Sequence, residues 1–263
     1  MIWTIQQRSE FGQLAAIRSR NGSTVVLFLH GVGLRAEAWN AQLEVFADQH
    51  TVIAPDMPGH GESTPFFVTP NLERYTARVA EALDTKAIVV GHSMGAMIAL
   101  DLAVRYPHLV CGLVALNAIY RRRAQAREAV LTRASELDGV SVPDPSAPLS
   151  RWFGLTPSPE ADACGSWLRG CDPSGYRAAY SVFAQGDAPA NDALAALDCP
   201  ALFMTGAEDP NSTPNMSEAM AAIAPNGKSI SVAGAAHMLP MTHPTLLNEA
   251  LKTFINECAN DKD

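Results

Sequence analysis

A G-x-S-x-G pentapeptide, Gly91 to Gly95, stands between a run of apolar, mostly β-branched residues and an apolar helical pattern. The run from Ala87 to Val90 predicts a buried strand, and the residues after Ser93 predict a buried helix. A serine at such a junction takes a strained backbone with positive φ, and its hydroxyl stands clear of the sheet. Glycines on both sides let neighbouring backbone pass close to the turn. This stretch therefore predicts an α/β sheet with a candidate nucleophile, Ser93, at its edge.

The rest of the chain alternates between strand and helix patterns. Further buried strands are predicted at Thr24–Leu29, Thr51–Ala54, Val110–Leu116, Pro200–Thr205 and Ser229–Val232, with helical patterns after most of them. This alternation predicts a mostly parallel sheet whose functional loops lie at the carboxyl ends of its strands. Two short strands, Trp3–Gln7 and Leu14–Arg18, are expected to form an antiparallel hairpin at the sheet edge.

Residues 119–190 interrupt this alternation. They contain proline clusters and helical patterns, with helices expected at about Arg121–Leu137, Glu160–Leu168 and Pro173–Ala184, and they lack a clear strand. A chain of 263 residues is near the upper limit for one core. We therefore expect a core formed by residues 1–118 and 191–263, and a helical cap, 119–190, over one end of the sheet.

Charge and cysteine content limit the partners and the compartment. The net charge of −8 argues against nucleic acid or an anionic membrane as the main partner. The chain contains no run of about 20 apolar residues and no signal-peptide pattern near its first residue. Five cysteines without a C-x-x-C motif are typical of free thiols in a reducing compartment. We expect a cytoplasmic protein with a small-molecule substrate, and the sequence leaves the oligomeric state open.

Two further polar residues follow late strands. Asp209 comes after the strand at 200–205, and His237 comes after the strand at 229–232, so both should reach the sheet edge that carries Ser93. A serine hydroxyl needs a base to take its proton, and a histidine base needs a carboxylate to orient it. The alternatives are Glu208, Asp192 or Asp198 for the acid, and His243, His92 or His60 for the base. Asp56 and His60, in the turn-rich loop before Ser63, are expected to be structural anchors. No H-E-x-x-H motif or other metal-ligand spacing occurs, so no metal is expected.

Five segments together carry a resemblance to a known family. They are HGVG (30–33), DMPGHGES (56–63), GHSMG (91–95), GAED (206–209) and GAAHMLP (234–240). Over essentially its full length the chain resembles the α/β-hydrolase superfamily, and it is most similar to the 3-oxoadipate enol-lactonases and small carboxylesterases. The resemblance implies an eight-stranded, mostly parallel sheet with helices on both faces and a helical cap. It also implies that Ser93 is the nucleophile, His237 the base and Asp209 the acid, and that the backbone N–H groups of Val32 and Met94 form the oxyanion hole.

The sequence favours a cofactor-independent serine hydrolase that cleaves a small carboxylic ester or lactone through an acyl-enzyme. Candidate substrate contacts are His30, Gly31, His92, Tyr120 and Arg177. A further possibility is that Arg177, or one of Arg121–Arg123, meets a substrate carboxylate. Two alternatives stay open: a hydrolase of carbon–carbon bonds in diketones that uses the same triad, and a ligand receptor that keeps the fold without turnover.

Overall fold

The structure, a computed structural model, describes residues 3–142, 144–186 and 189–260. Its centre is an eight-stranded sheet with the order β1-β2-β4-β3-β5-β6-β7-β8. The strands are β1 (Ser9–Phe11), β2 (Leu14–Arg18), β3 (Val25–Leu29), β4 (Thr51–Pro55), β5 (Ala87–His92), β6 (Val110–Leu116), β7 (Ala201–Gly206) and β8 (Gly227–Val232). Strands β3 to β8 are parallel, whereas the hairpin β1-β2 joins the edge in antiparallel orientation. The predicted eight-stranded, mostly parallel sheet is confirmed.

The central strands are apolar because helices cover both faces of the sheet. Every residue of β3, β5 and β7 is buried, which explains why these strands read as continuous apolar runs and not as alternating patterns. Helices α2 (Leu72–Ala80), α3 (Met94–Arg105) and α9 (Pro214–Ile223) pack on one face. Helices α1 (Asn40–Phe46) and α11 (Pro244–Asn260) pack on the other.

Five helices stand between β6 and β7. They are α4 (Ala124–Glu136), α5 (Ser146–Phe153), α6 (Pro159–Arg169), α7 (Pro173–Gln185) and α8 (Asn191–Ala195). We call α4 to α8 the insertion. Its described residues include no strand, as expected, but α5 and α8 were not predicted from the sequence, and α8 lies beyond the predicted end of the cap at residue 190. The insertion covers the carboxyl end of the sheet, because residues of α4, α5 and α7 and the residues that follow β5 and β8 line one cavity. The boundaries at 118/119 and 190/191 stay a prediction, and residues 1, 2, 143, 187, 188 and 261–263 lie outside the described ranges.

The first strand was predicted in the wrong place. The edge hairpin is formed by Ser9–Phe11 and Leu14–Arg18, with Gly12 in the turn at φ 58°. The segment Trp3–Gln7 is not a strand, since the N–H of Gln6 donates to the Glu37 carboxylate and not to a neighbouring strand. A short helix, α10 (Leu239–Thr242), was also missed. Over the described residues, no helix combines the length and the apolar character needed to cross a bilayer.

Candidate active site

Ser93 occupies the sharp turn between β5 and α3. Its backbone has φ 56° and ψ −115°, the positive φ that the sequence predicts for this turn. A Cβ atom on Gly91 would lie 2.1 Å from the carbonyl oxygen of Gly95, and one on Gly95 would lie 2.1 Å from the carbonyl oxygen of Leu29. Only glycine therefore fits at both positions. The backbone N–H of Ser93 donates to Leu116 at 2.9 Å, which fixes the strained turn to β6.

His237 and Asp209 meet at the same edge of the sheet. His237 lies in the loop after β8 and Asp209 in the loop after β7, and the Nδ1 atom of His237 is 2.7 Å from Oδ2 of Asp209. Both side chains are buried. Burial raises the pKa of Asp209, but the charge and hydrogen bond of His237 and the hydrogen bonds of Ser212 and Asn211 outweigh burial and hold this pKa below its ordinary value. Asp209 is therefore ionised and orients the imidazole so that Nδ1–H donates to it.

Two residues that the sequence analysis did not assign to the site hold Asp209 in place. Nδ2 of Asn117 and Oγ of Ser212 donate to Oδ2 of Asp209 at 2.8 and 2.7 Å. The backbone N–H groups of Asn211 and Ser212 donate to Oδ1 at 2.9 and 3.2 Å. Asn117 directly follows β6 and has a φ of 50°, a conformation that asparagine tolerates better than most residues. Its position at a strand end was the one signal in the sequence that could have indicated this role.

All three alternative acids, Glu208, Asp192 and Asp198, are exposed to solvent. None of them forms a hydrogen bond or ion pair with His237, whose carboxylate partner is Asp209. Among the alternative bases, His92 has a structural contact with His237. Its Nε2–H donates to the backbone carbonyl of His237 at 2.8 Å, and the two ring centroids are 5.0 Å apart. Burial, with a smaller contribution from the nearby His237, lowers the pKa of His92 to about 3, so this ring is neutral.

The loop that follows β3 lies against Ser93. A Cβ atom on Gly31 would be 3.1 Å from Cβ of Ser93, so Gly31 permits a close approach of backbone to the serine. The N–H of Val32 makes no hydrogen bond to any described residue. Met94 is the first residue of α3, and its N–H therefore has no acceptor within the helix. Neither N–H group therefore has a hydrogen-bond acceptor among the described residues.

A buried ionic network supports this loop from behind. Arg8 pairs with Glu37 at 2.7 Å and with Asp56 at 2.8 Å. Burial raises the pKa of Glu37, but the hydrogen bonds from Arg8 and Gln6 and the charge of Arg8 outweigh it and lower the pKa to about 2. Oδ1 of Asp56 accepts the N–H of Ala36 at 2.8 Å, and Oδ2 accepts that of Glu62 at 2.9 Å. Asp56 is thus the structural anchor that its loop position predicts.

A cavity of about 520 Å³ opens between the sheet edge and the insertion. The core residues of its lining include Gly31 and Val32, His92 and Ser93, Pro210 and Asn211, and His237. The insertion and the segment before it contribute aromatic and basic residues, among them Tyr120, Arg133, Arg151, Trp152 and Tyr176. The ring of Trp152 stacks on that of His237, with centroids 6.0 Å apart and an angle of 25° between the planes.

Three of the five predicted substrate contacts line this cavity and two do not. Gly31, His92 and Tyr120 line it. His30 is buried behind it, with Nδ1 on the carbonyl oxygen of Gly31 at 2.7 Å and Nε2 accepting the N–H of Met57 at 2.9 Å. Arg177 lies on the outer side of α7, where it donates to the backbone of Asp138 and lines a different cavity. Packing turns both side chains away from the cavity that Ser93 lines.

Comparison with known proteins agrees with this architecture. Residues 26–250 match the model of the alpha/beta hydrolase family. This chain belongs to the alpha/beta hydrolase family. The resemblance inferred from the five sequence segments is therefore confirmed, and the chain is a hydrolase by family.

Three similar proteins illustrate the range of the family. The (E)-2-((N-methylformamido)methylene)succinate hydrolase of Acinetobacter baylyi is 38% identical over 240 residues, which cover 89% of this chain and 90% of the relative. A thermophilic esterase from Thermogutta terrifontis, solved with malate bound, superposes with a TM-score of 0.83 at 25% identity, over 96% of this chain and 99% of that one. The enol-lactonase of Burkholderia xenovorans LB400 has a TM-score of 0.77 at 17% identity, with 95% and 99% covered, and so shows the fold alone.

Proposed function

We propose that this alpha/beta hydrolase is a serine hydrolase that uses Ser93, His237 and Asp209. It cleaves the bond between an acyl group and its leaving group in a small, carboxylate-bearing substrate. The observation that carries the proposal is the 2.7 Å contact between Nδ1 of His237 and Asp209, next to the cavity that both Ser93 and His237 line. Since Nδ1 donates to the aspartate, Nε2 is the ring nitrogen available to the serine hydroxyl.

The reaction has two halves. In the first, Oγ of Ser93 bonds to the carbonyl carbon while Nε2 of His237 takes the hydroxyl proton, and the N–H groups of Val32 and Met94 hold the oxygen that becomes negative. The bond to the leaving group then breaks, and His237 returns the proton to that group. In the second half, water adds to the acyl-enzyme, His237 takes the water proton, and the acid is released as Ser93 recovers its hydrogen.

The class of substrate is inferred from the Acinetobacter relative. Its name describes hydrolysis of a succinate that carries an N-methylformamido group, and the two chains align over about nine-tenths of both. We infer that an acylated enamine of a four-carbon dicarboxylate is the substrate class, and that the leaving atom is nitrogen. A small ester or lactone, which leaves through oxygen, is the second candidate, favoured by the similarity to the Thermogutta esterase. The same serine and histidine serve both classes.

Three substrates, one substitution at the candidate nucleophile and one control substitution test this proposal. The purified protein is assayed with (E)-2-((N-methylformamido)methylene)succinate, with p-nitrophenyl acetate and with an enol-lactone, beside Ser93→Ala and the control Ser135→Ala, an exposed serine of α4. We expect Ser93→Ala to lower kcat by a factor of about 10³ or more on every accepted substrate, whereas Ser135→Ala behaves like the wild type. A Ser93→Ala protein with undiminished turnover contradicts the proposal. A higher kcat/KM on the ester or the lactone than on the enamide selects the second candidate.

A further inference from the structure

Arginine side chains give the wall of the cavity a positive charge. Five of them line it: Arg121, Arg122, Arg123, Arg133 and Arg151. No aspartate or glutamate of the described ranges lines the same cavity, in a chain whose net charge is −8. Concentrated charge of one sign in a concave site raises the local concentration of ligands with the opposite charge.

The three arginines that precede α4 differ from the other two. Arg121 and Arg123 are exposed, and Arg121 donates to the side chain of Asn191 at 2.9 Å. Arg122 donates to the backbone carbonyls of Gly186 and Phe183 and lies over the Phe183 ring. These contacts secure the ends of the insertion to one another, so this group has a structural use.

Arg133 on α4 and Arg151 on α5 are half-buried, and neither forms an ion pair with a described carboxylate. Arg133 donates to the hydroxyl of Tyr180, a neutral acceptor, at 2.9 Å. Burial, followed by the positive charge of Arg133, lowers the pKa of Arg151. Both guanidinium groups thus line one cavity in partly desolvated positions, the charge of Arg133 acts on Arg151, and no carboxylate of the described residues pairs with either group. An anion bound by both guanidinium groups would offset the repulsion between their charges and give each of them a charged partner.

Helix α5 also reaches the candidate catalytic residues. Trp152, the neighbour of Arg151, stacks on the ring of His237. A ligand held by Arg151 is therefore bound by the same helix that packs on His237, and it lies within the cavity that Ser93 lines. Arg133 and Arg151 come from different helices, so a ligand that binds both ties α4 to α5.

We propose that Arg133 and Arg151 form a carboxylate-binding subsite that holds one carboxylate of the substrate while the acyl group lies at Ser93. The inference rests on the proposed function for its account of turnover, but binding by the subsite does not depend on turnover. A guanidinium binds a carboxylate through two parallel N–H···O hydrogen bonds, which fixes the orientation of the bound group as well as its position. The ligand class is small aliphatic mono- and dicarboxylates.

Calorimetric titration of the Ser93→Ala protein with succinate, and with its neutral analogue succinamide, tests the subsite without turnover. We expect succinate to bind at least about tenfold more tightly than succinamide, and Arg133→Gln or Arg151→Gln to remove most of that difference. The control Arg127→Gln changes an exposed arginine of α4 that does not line the cavity, and it should keep the preference.

Two results would overturn the subsite. One is equal affinity of succinate and succinamide for the Ser93→Ala protein, a comparison that needs no arginine variant and so decides the matter even if one of them does not fold. The other is an unchanged preference for succinate in both folded glutamine variants. Neither result bears on Ser93, because the proposed function fails only if Ser93→Ala keeps its turnover.

Discussion

The Nε2 atom of His60 accepts a hydrogen bond from the backbone N–H of Gly33 at 3.0 Å, inside the protein and next to the candidate oxyanion loop. The Nδ1–H of His60 points to the carbonyl oxygen of Pro58 at 3.2 Å, so the ring is neutral and its tautomer is set. The neighbouring Gly59 packs against Gly175 at the start of α7 so closely that a Cβ atom on Gly59 would lie 2.5 Å from the Gly175 Cα atom. One loop thus joins the insertion to the segment that presents Val32.

Loss of the acceptor on His60 should impair turnover more than substrate binding. In His60→Leu the N–H of Gly33 is left buried without a partner, which costs about 1–3 kcal/mol and allows the loop at 30–33 to shift. We expect kcat to fall by about tenfold or more in steady-state assays with p-nitrophenyl acetate.

The matched variant is His60→Gln, whose side-chain oxygen keeps an acceptor at a similar reach from the backbone. It should retain most of the wild-type kcat. Equal kcat values for His60→Leu and the wild type would show that the hydrogen bond to Gly33 does not position the loop.

Neutralising Asp209 should lower activity with little change in the fold. Asp209→Asn keeps the shape of the side chain, but an amide nitrogen toward Nδ1 of His237 favours the wrong tautomer of the imidazole, so Nε2 no longer accepts the proton of Ser93. We expect kcat to fall by a factor of about 10³–10⁴. Pre-steady-state labelling of Ser93 by a fluorophosphonate should slow in parallel.

The adjacent Glu208 supplies the control, because it is exposed and was an alternative acid in the sequence. Glu208→Gln should retain wild-type kcat and labelling rate. If Glu208→Gln rather than Asp209→Asn abolished activity, the assignment of the acid would be wrong.

Two buried neutral histidines make the fold sensitive to acid. Burial is the main reason that the pKa of His60 and that of His92 fall from 6.5 to about 3, with smaller effects of the neighbouring His30 and His237. Between pH 6.5 and 3 the unfolded chain binds protons at these residues that the folded chain does not bind. The free energy of unfolding is therefore not reduced by these histidines above about pH 6.5. It decreases as the pH falls toward 3, by up to about 1.4 kcal/mol per pH unit for each histidine.

Urea unfolding at pH 7.5, 6.5, 5.5 and 5.0 measures this dependence above the range in which most carboxylates titrate. We expect the free energy of unfolding to fall steadily below pH 6.5, and the slope to be shallower in His60→Gln. The control His108→Gln replaces an exposed histidine and should keep the wild-type slope. A free energy of unfolding that stays constant from pH 7.5 to 5.0 would mean that His60 and His92 are protonated in the folded protein.

Sequence patterns predicted most of the fold because the parallel strands are buried on both faces. Such strands are continuous apolar runs, so β3 and β7 were predicted within one residue of their observed bounds and β5 within two. The first edge strand was misplaced, since Trp3–Gln7 has a β-like composition but Gln6 bonds to Glu37 instead of to a strand. The helix α5 was missed because its eight residues include a proline and directly follow another proline, a pattern typical of a loop.

The chain alone specifies the turn at Ser93 and the loops in which Asp209 and His237 lie, because each depends on residues adjacent in sequence: a glycine at the turn, or a polar residue directly after an apolar run. Packing of distant segments decides which partners those residues meet. Asn117, which follows β6, reaches Asp209, which follows the neighbouring strand β7, and Arg133 and Arg151 come from helices with no buried residue of their own. The local sequence of these two helices does not indicate that Arg133 and Arg151 face the same cavity, because that depends on how the helices pack over the sheet edge.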